Sequence, residues 1–201
     1  MQTYTDQQFE GVDFSGEDFR EAELTRCTFI KCRFVGARLE EAITIGCKFE
    51  LCDFHGAALN ASEHTETAFT NGLFEGANLF VAKFNACKMT GSDFAGAELS
   101  GITIVKGDWS YTNLRHVKLD KQNLREVRFV EADLMGASLE KSDLRKCDLT
   151  RANLTQTNLS GADLRGAELG GVPWKTVNLK GARMDTVQAI TLLRSLGAKV
   201  E

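Results

Sequence analysis

Large apolar residues return every five positions along almost the whole chain. From Tyr4 the series runs through Phe9, Phe14, Phe19, Leu24, Phe29, Phe34 and Leu39, and it holds its phase to Leu169, Trp174, Leu179 and Met184. Of its 37 positions, 35 are large and apolar; the exceptions are Thr44 and His64. A second column lies two residues earlier and is small: Ala22, Cys27, Cys32, Ala37, Ala42, Cys47, Cys52 and onward to Ala182. The residue just before the large one is often Asp or Asn, as at Asp133, Asp143, Asp148, Asn153 and Asn158.

A period of five fits neither a helix at 3.6 nor a strand at 2. It requires a backbone that turns the same side chain inward every fifth residue. A coil with four five-residue sides does this, with one large and one small residue inside each side. Residues 20 apart then stack at the strand spacing of about 4.8 Å. The span 4–184 predicts about nine coils, each burying its apolar surface mainly against its neighbours. Gly16, Gly36, Gly56, Gly76 and Gly96 fall on one repeated corner, where a tight turn calls for backbone freedom. Thr44 and His64 become neighbours in adjacent coils, and this core polar pair is predicted to share a hydrogen bond or a buried water.

The period ends near Met184, which divides the chain into a repeat region, 1–184, and a tail, 185–201. In the tail, Asp185 is a fair N-cap and Gly197 a fair C-terminal stop. Val187, Ile190 and Leu193 are spaced by three, with Leu196 extending the apolar surface. A short helix over about 186–196 is predicted, carrying more apolar surface than the cap of a last coil needs. Val187, Ile190, Leu193 and Leu196 are therefore the candidate dimer interface, since a two-fold dimer is a common way to cover such a face.

Composition narrows the function. Twelve of the 13 Phe and both Trp lie in the inward register, so aromatic excess is core filling. All six Cys (27, 32, 47, 52, 87 and 147) lie in the small column. With no C-x-x-C spacing they read as reduced spacers, not as a metal or redox set. Of the three His, His55 and His116 face outward and His64 inward. There is no Walker loop, G-x-S-x-G or H-E-x-x-H. The Asp/Asn slot repeats structurally, so no acid/base pair stands out. No catalytic residues, metal ligands or cofactor are expected, and the chain reads as a non-enzyme. No run of about 18 apolar residues exists, so no membrane span is expected. The polar start MQTYTDQQFEG lacks a secretory pattern, and a cytoplasmic protein is expected.

The formal net charge is −4, too acidic for direct nucleic-acid binding. It hides an asymmetry: residues 1–100 are net −8 and residues 101–201 net +4. Asp13, Glu17, Asp18, Glu21, Glu40, Glu41, Asp53 and Glu75 form the candidate acidic partner surface. Such a surface can engage a cationic groove by complementary potential; ordinary solvation of outward positions is the plainer reading.

The A(D/N)LxG-like unit, with "GADLRGAEL" at 161–169 as a near-ideal copy, resembles the pentapeptide repeat family. That resemblance implies an all-β solenoid, a right-handed quadrilateral β-helix. The stretches "ASEHTETAF" at 61–69 and "ACKMTGSDF" at 86–94, and the tail "VPWKTVNLKGARMDTVQA" at 172–189, are similar to the family's fluoroquinolone-resistance group. The likeness is nearer to its mycobacterial members than to its Qnr members, whose coils are interrupted by loops this chain lacks. The resemblance implies a homodimer joined at the C-terminal end that binds DNA gyrase by mimicking duplex DNA and protects it from fluoroquinolones or another gyrase poison. The alternative is a non-catalytic scaffold or partner-binding module with no topoisomerase role.

Overall fold

The structure is a computed structural model that describes residues 2–200. It is a right-handed β-solenoid with four five-residue sides per coil and one short C-terminal helix. It divides into two compact units, Met1–Thr103 and Ile104–Glu201.

In the first unit two sides of the coil carry three-residue strands. One side stacks β1 (Thr3–Thr5), β3 (Glu23–Thr25), β5 (Ile43–Ile45), β7 (Glu63–Thr65) and β9 (Lys83–Asn85). The next stacks β2 (Gln8–Glu10), β4 (Thr28–Ile30), β6 (Lys48–Glu50) and β8 (Ala68–Thr70). All pair in parallel at a register of 20, as in Tyr4↔Leu24↔Thr44↔His64. The other two sides are joined by isolated bridges at the same step, such as Asp13↔Arg33↔Asp53. A last strand, β10 (Thr103–Val105), lies at the boundary of the units.

The second unit keeps the 20-residue step through isolated bridges, for example Asp108↔Arg128↔Asp148↔Glu168. The coil count differs slightly from the nine expected: about five turns carry regular strands, and the rest are held by single bridges between Leu-filled turns.

The cores differ in filling. In the first unit Phe29, Phe49 and Phe69 stack with centroids 4.7 Å apart and planes within 4°. Phe34, Phe54, Phe74 and Phe94 form a second stack at 4.8 to 5.0 Å. The ring spacing equals the coil rise, so planar rings lose no contact between coils. In the second unit Leu114, Leu119, Leu124, Leu134, Leu139 and Leu144 take the inward positions, with Trp109 and Phe129 fully buried. The first coil is open-ended: Tyr4, Phe9 and Phe14 are only half-buried.

Many corners are type II turns. Glu17 N–H donates to the Phe14 carbonyl at 3.1 Å, with Gly16 at φ +72°. A left-handed residue is what this turn requires at its third position. Gly36 has the same conformation at φ +62° and open space where a side chain would begin. Non-glycine residues also take this backbone, Glu21 (φ +55°) and Ala86 (φ +52°) among them. The glycine column is thus favoured by conformation, not demanded by crowding.

The small column is more than filler, which corrects the reading of the cysteines as plain apolar spacers. Cys47 Sγ donates to the Leu24 carbonyl at 3.3 Å and Cys52 Sγ to the Phe29 carbonyl at 3.4 Å. Ser92 Oγ and Ser142 Oγ make the same bond to Phe69 and Leu119, both at 2.6 Å. Where the slot holds one of these Cys or Ser residues, the side chain donates to the coil before it. Thiol and hydroxyl are interchangeable there because each supplies one hydrogen.

The helix α1 spans Thr186–Ser195. Asp185 Oδ1 accepts from Val187 N–H at 3.0 Å and Gln188 N–H at 3.3 Å. Gln188 Oε1 returns a bond from Asp185 N–H, completing a capping box. Gln188 also donates to the Ala167 carbonyl at 3.2 Å, which ties the helix to the last turns of its unit.

Candidate functional site

Three groups of side chains were candidates for function, and the structure places each differently. All eight acidic residues lie in the first unit. Four of them contact a basic side chain. Arg33 reaches Asp13 at 3.3 Å, one coil away. Arg20 grips Asp18 through two nitrogens at 2.9 and 2.7 Å, with Arg38 at 3.5 Å. Arg20 thereby holds the Asp18 carboxyl well below the usual carboxylate range. His55 joins the other two: Nδ1 lies 2.6 Å from Asp53 and Nε2 3.1 Å from Glu75. Bonds to both carboxylates, Asp53 foremost, raise the His55 pKa.

The remaining four, Glu17, Glu21, Glu40 and Glu41, make no ion pair among the described residues. They lie on one side and corner of the first coils. Of the eight acidic residues read from the sequence, half are thus in contact with a basic side chain. The sequence held the signal for this. Asp6 and Arg26, Asp13 and Arg33, Glu63 and Lys83, and Asp108 and Arg128 are opposite charges 20 apart, and each is a contact.

The polar pair lies in the core of the first unit. Thr44 Oγ1 and His64 Nδ1 are 2.7 Å apart, and the pair belongs to a longer chain. Ser62 Oγ donates to the Leu59 carbonyl at 2.6 Å, so it accepts from His64 Nε2–H at 2.9 Å. Nδ1 is then the acceptor and Thr44 the donor. Thr67 Oγ1 lies 2.9 Å from Thr44 Oγ1, has the Thr65 carbonyl as acceptor at 3.2 Å, and accepts Cys47 N–H at 3.3 Å. Burial pushes the His64 pKa down to about 3, so the ring is neutral. The network has a structural role: every member is buried and satisfied, and nothing opens it to solvent. Ser62 and Thr67 escaped the sequence reading because they occupy the ordinary small column.

In the tail, Val187, Leu193 and Leu196 are 68%, 47% and 59% exposed, while Ile190 is half-buried. Three of the four apolar side chains thus stand largely uncovered on α1 and the residue that ends it. His116 is exposed on the second unit. The six thiols are buried and unpaired with one another. Burial raises Cys47 and Cys87 to about 11, and Cys52 and Cys147 to about 12. No group of three or more His, Cys, Asp or Glu among the described residues could hold a metal ion. No helix among them is long and apolar enough to cross a membrane.

Pentapeptide repeat profiles match residues 3–79, 112–151 and 132–171. The chain belongs to the pentapeptide repeat family. Among solved structures it is similar to a trypsin-treated variant of QnrB1, a plasmid-mediated fluoroquinolone resistance protein. The identity is 27%, 99% of each chain is covered, and the TM-score is 0.87. Full-length QnrB1 matches at 26% identity over 98% of this chain and 100% of that one, with a TM-score of 0.86. HetL, a pentapeptide repeat protein involved in heterocyst differentiation regulation from the cyanobacterium Nostoc, matches at 26% identity and a TM-score of 0.52 over 91% and 89% of the chains. No curated protein matches the chain by sequence.

Proposed function

We propose that this pentapeptide repeat protein is a non-catalytic, cytoplasmic partner of DNA gyrase that protects the enzyme from fluoroquinolones or another gyrase poison. The observation that carries this reading is the likeness to QnrB1 along essentially the whole of both chains. A shared repeat alone would favour the fold without the function, as the much weaker match to HetL illustrates.

The physical route is duplex mimicry. Glu17, Glu21, Glu40 and Glu41 lie near one corner of the first unit without an ion pair among the described residues, and Glu21 and Glu41 are one coil apart. A cationic DNA groove on the topoisomerase is attracted to such an array. Occupying that groove, or destabilising the drug-trapped cleavage complex, would protect the enzyme. Val187, Ile190, Leu193 and Leu196 would join two copies at the C-terminal end.

The test is a supercoiling assay with ciprofloxacin, with and without the protein. Restored supercoiling at micromolar protein is expected. Unchanged drug sensitivity together with no effect on gyrase alone would overturn the proposal. A scaffold without a topoisomerase role is the second reading. It is favoured by one observation: Asp13, Asp18, Asp53 and Glu75 are already in contact with Arg33, Arg20 and His55.

A further inference from the structure

His55 makes a pair of contacts that a neutral histidine cannot make. Its ring lies between two carboxylates, with Nδ1 2.6 Å from Asp53 Oδ1 and Nε2 3.1 Å from Glu75 Oε2. An ionised carboxylate only accepts, and a neutral imidazole carries a single N–H. Both contacts therefore exist together only when the ring holds two hydrogens and a positive charge. The other charged groups on the flanking coil are engaged elsewhere: Arg33 reaches Asp13 at 3.3 Å and Arg38 reaches Asp18 at 3.5 Å. Val35 and Glu75 occupy the position of His55 in the coils before and after.

The two contacts are unequal. Asp53 Oδ1 also accepts the His55 backbone N–H at 3.1 Å, and the Asp53 backbone is fixed by the bridges Arg33↔Asp53↔Leu73. Glu75 belongs to the next coil, and its side chain is 69% exposed against 28% for Asp53. When the ring loses one proton, the shorter bond keeps the remaining hydrogen on Nδ1. The Nε2 lone pair then faces a Glu75 oxygen, and two acceptors repel. The Glu75 backbone stays in place, since its carbonyl accepts Gly56 N–H at 3.0 Å, so only the side chain swings away.

We infer that His55 is a proton-operated clasp on the first unit: with two ring hydrogens it holds Glu75 beside Asp53, and with one it releases Glu75 to a basic partner segment. Two carboxylates and one imidazolium carry a net charge of −1, and loss of the proton takes the group to −2. The released carboxylate and the bare Nε2 are then neighbouring acceptors, a pair that suits the N–H fork of a guanidinium. The partner's cation and the ring's proton exclude each other. Linkage makes the effect reciprocal: a rise in pH strengthens docking, and the docked cation weakens the ring's hold on its proton. The carboxylates, Asp53 first and Glu75 second, raise the His55 pKa above its ordinary 6.5, so release falls on the alkaline side of that value. The clasp does not depend on which protein supplies the cation.

The test follows the His55 ring signals of the full chain by NMR from about pH 5 to about pH 9. Binding of a labelled oligoarginine peptide is measured at low salt over the same range, in which arginine does not titrate. The ring midpoint is expected above 6.5 in the parent, lower in Glu75→Gln, and lower in the parent when the peptide is saturating. Peptide affinity is expected to rise several-fold from the acid to the alkaline end in the parent and to stay flat in His55→Gln and Glu75→Gln. His116→Gln removes an exposed imidazole of the second unit and should keep the rise. A ring midpoint that Glu75→Gln leaves unmoved shows that the ring is not clasped to Glu75, and the inference fails. It fails equally if the parent shows no rise in affinity, or if the rise survives in His55→Gln.

Discussion

Thr44 and His64, the two polar residues in an otherwise apolar column, meet across adjacent coils with Oγ1 and Nδ1 2.7 Å apart. The bond fixes the tautomer. Because Nδ1 accepts, a second proton there would point at a hydroxyl hydrogen, and the charged ring would sit among Phe69 and Phe84 at 5.1 and 4.7 Å.

Stability should therefore depend on His64 protonation. The folded pKa is about 3 and the unfolded value near 6.5. A depressed value means the unfolded chain binds the proton first. Stability is complete above about pH 6.5 and falls by about 1.4 kcal/mol per pH unit as pH drops towards 3. Urea denaturation at pH 7 and pH 5 checks this. A His64→Phe variant should lose that acid slope, yet be weaker at pH 7 because Thr44 and Ser62 lose a partner, by about 1 to 3 kcal/mol. An acid slope that persists in the variant would assign it elsewhere. His55 has the opposite sign: its pKa is raised, so its contribution is present at low pH and fades as pH rises through the folded value.

The thiols should be silent in the folded protein. Reaction requires thiolate, and burial holds Cys47, Cys52, Cys87 and Cys147 near 11 to 12. Titration with a disulfide reagent at pH 8 should read none of the six cysteines natively and all six in guanidinium. Cys52→Ser should stay within about 1 kcal/mol of the parent because the hydroxyl can donate to the Phe29 carbonyl. Cys52→Leu should lose more, by overpacking. A serine variant as damaged as the leucine variant would refute the donor role.

Gly36→Ala tests the corner. Nothing lies within 4 Å of the added carbon, so only the left-handed backbone at φ +62° opposes it. The expected loss is about 1 kcal/mol. Ala86 sits at φ +52° already, and Ala86→Gly should be neutral or stabilising. Equal destabilisation by both changes in thermal unfolding would show that the corners are governed by something other than backbone conformation.

The exposed apolar side chains of the tail make a prediction about assembly. Ile190→Asp combined with Leu193→Asp should convert a dimer to a monomer in size-exclusion chromatography, with the circular dichroism spectrum retained. An elution volume identical to the parent's places the interface elsewhere.

The fold was legible because a period of five leaves few backbones that return one side chain inward. The helix was legible from Asp185, Gly197 and the apolar spacing between them. The chemistry of the small column was not. Cys47 and Ala42 look alike in a hydrophobic pattern, and only the carbonyl of Leu24 beside the thiol distinguishes them. His55 eluded the reading for a related reason. Its column was visible, but its reach to Glu75 depends on a ring orientation that no pattern encodes. The charge sum of the acidic half already counts Arg33, but a sum does not show that Asp13 and Arg33 meet one coil apart.

The 20-residue register has a consequence for how such a chain tolerates change. Each position has an address on the coil, and Phe29, Phe49 and Phe69 share one address. Deleting a single residue would rotate every later address by one step and turn outward carboxylates towards the axis. Removing or duplicating a whole block of 20 leaves all addresses intact. Length is the freely adjustable variable of this architecture, while phase is not.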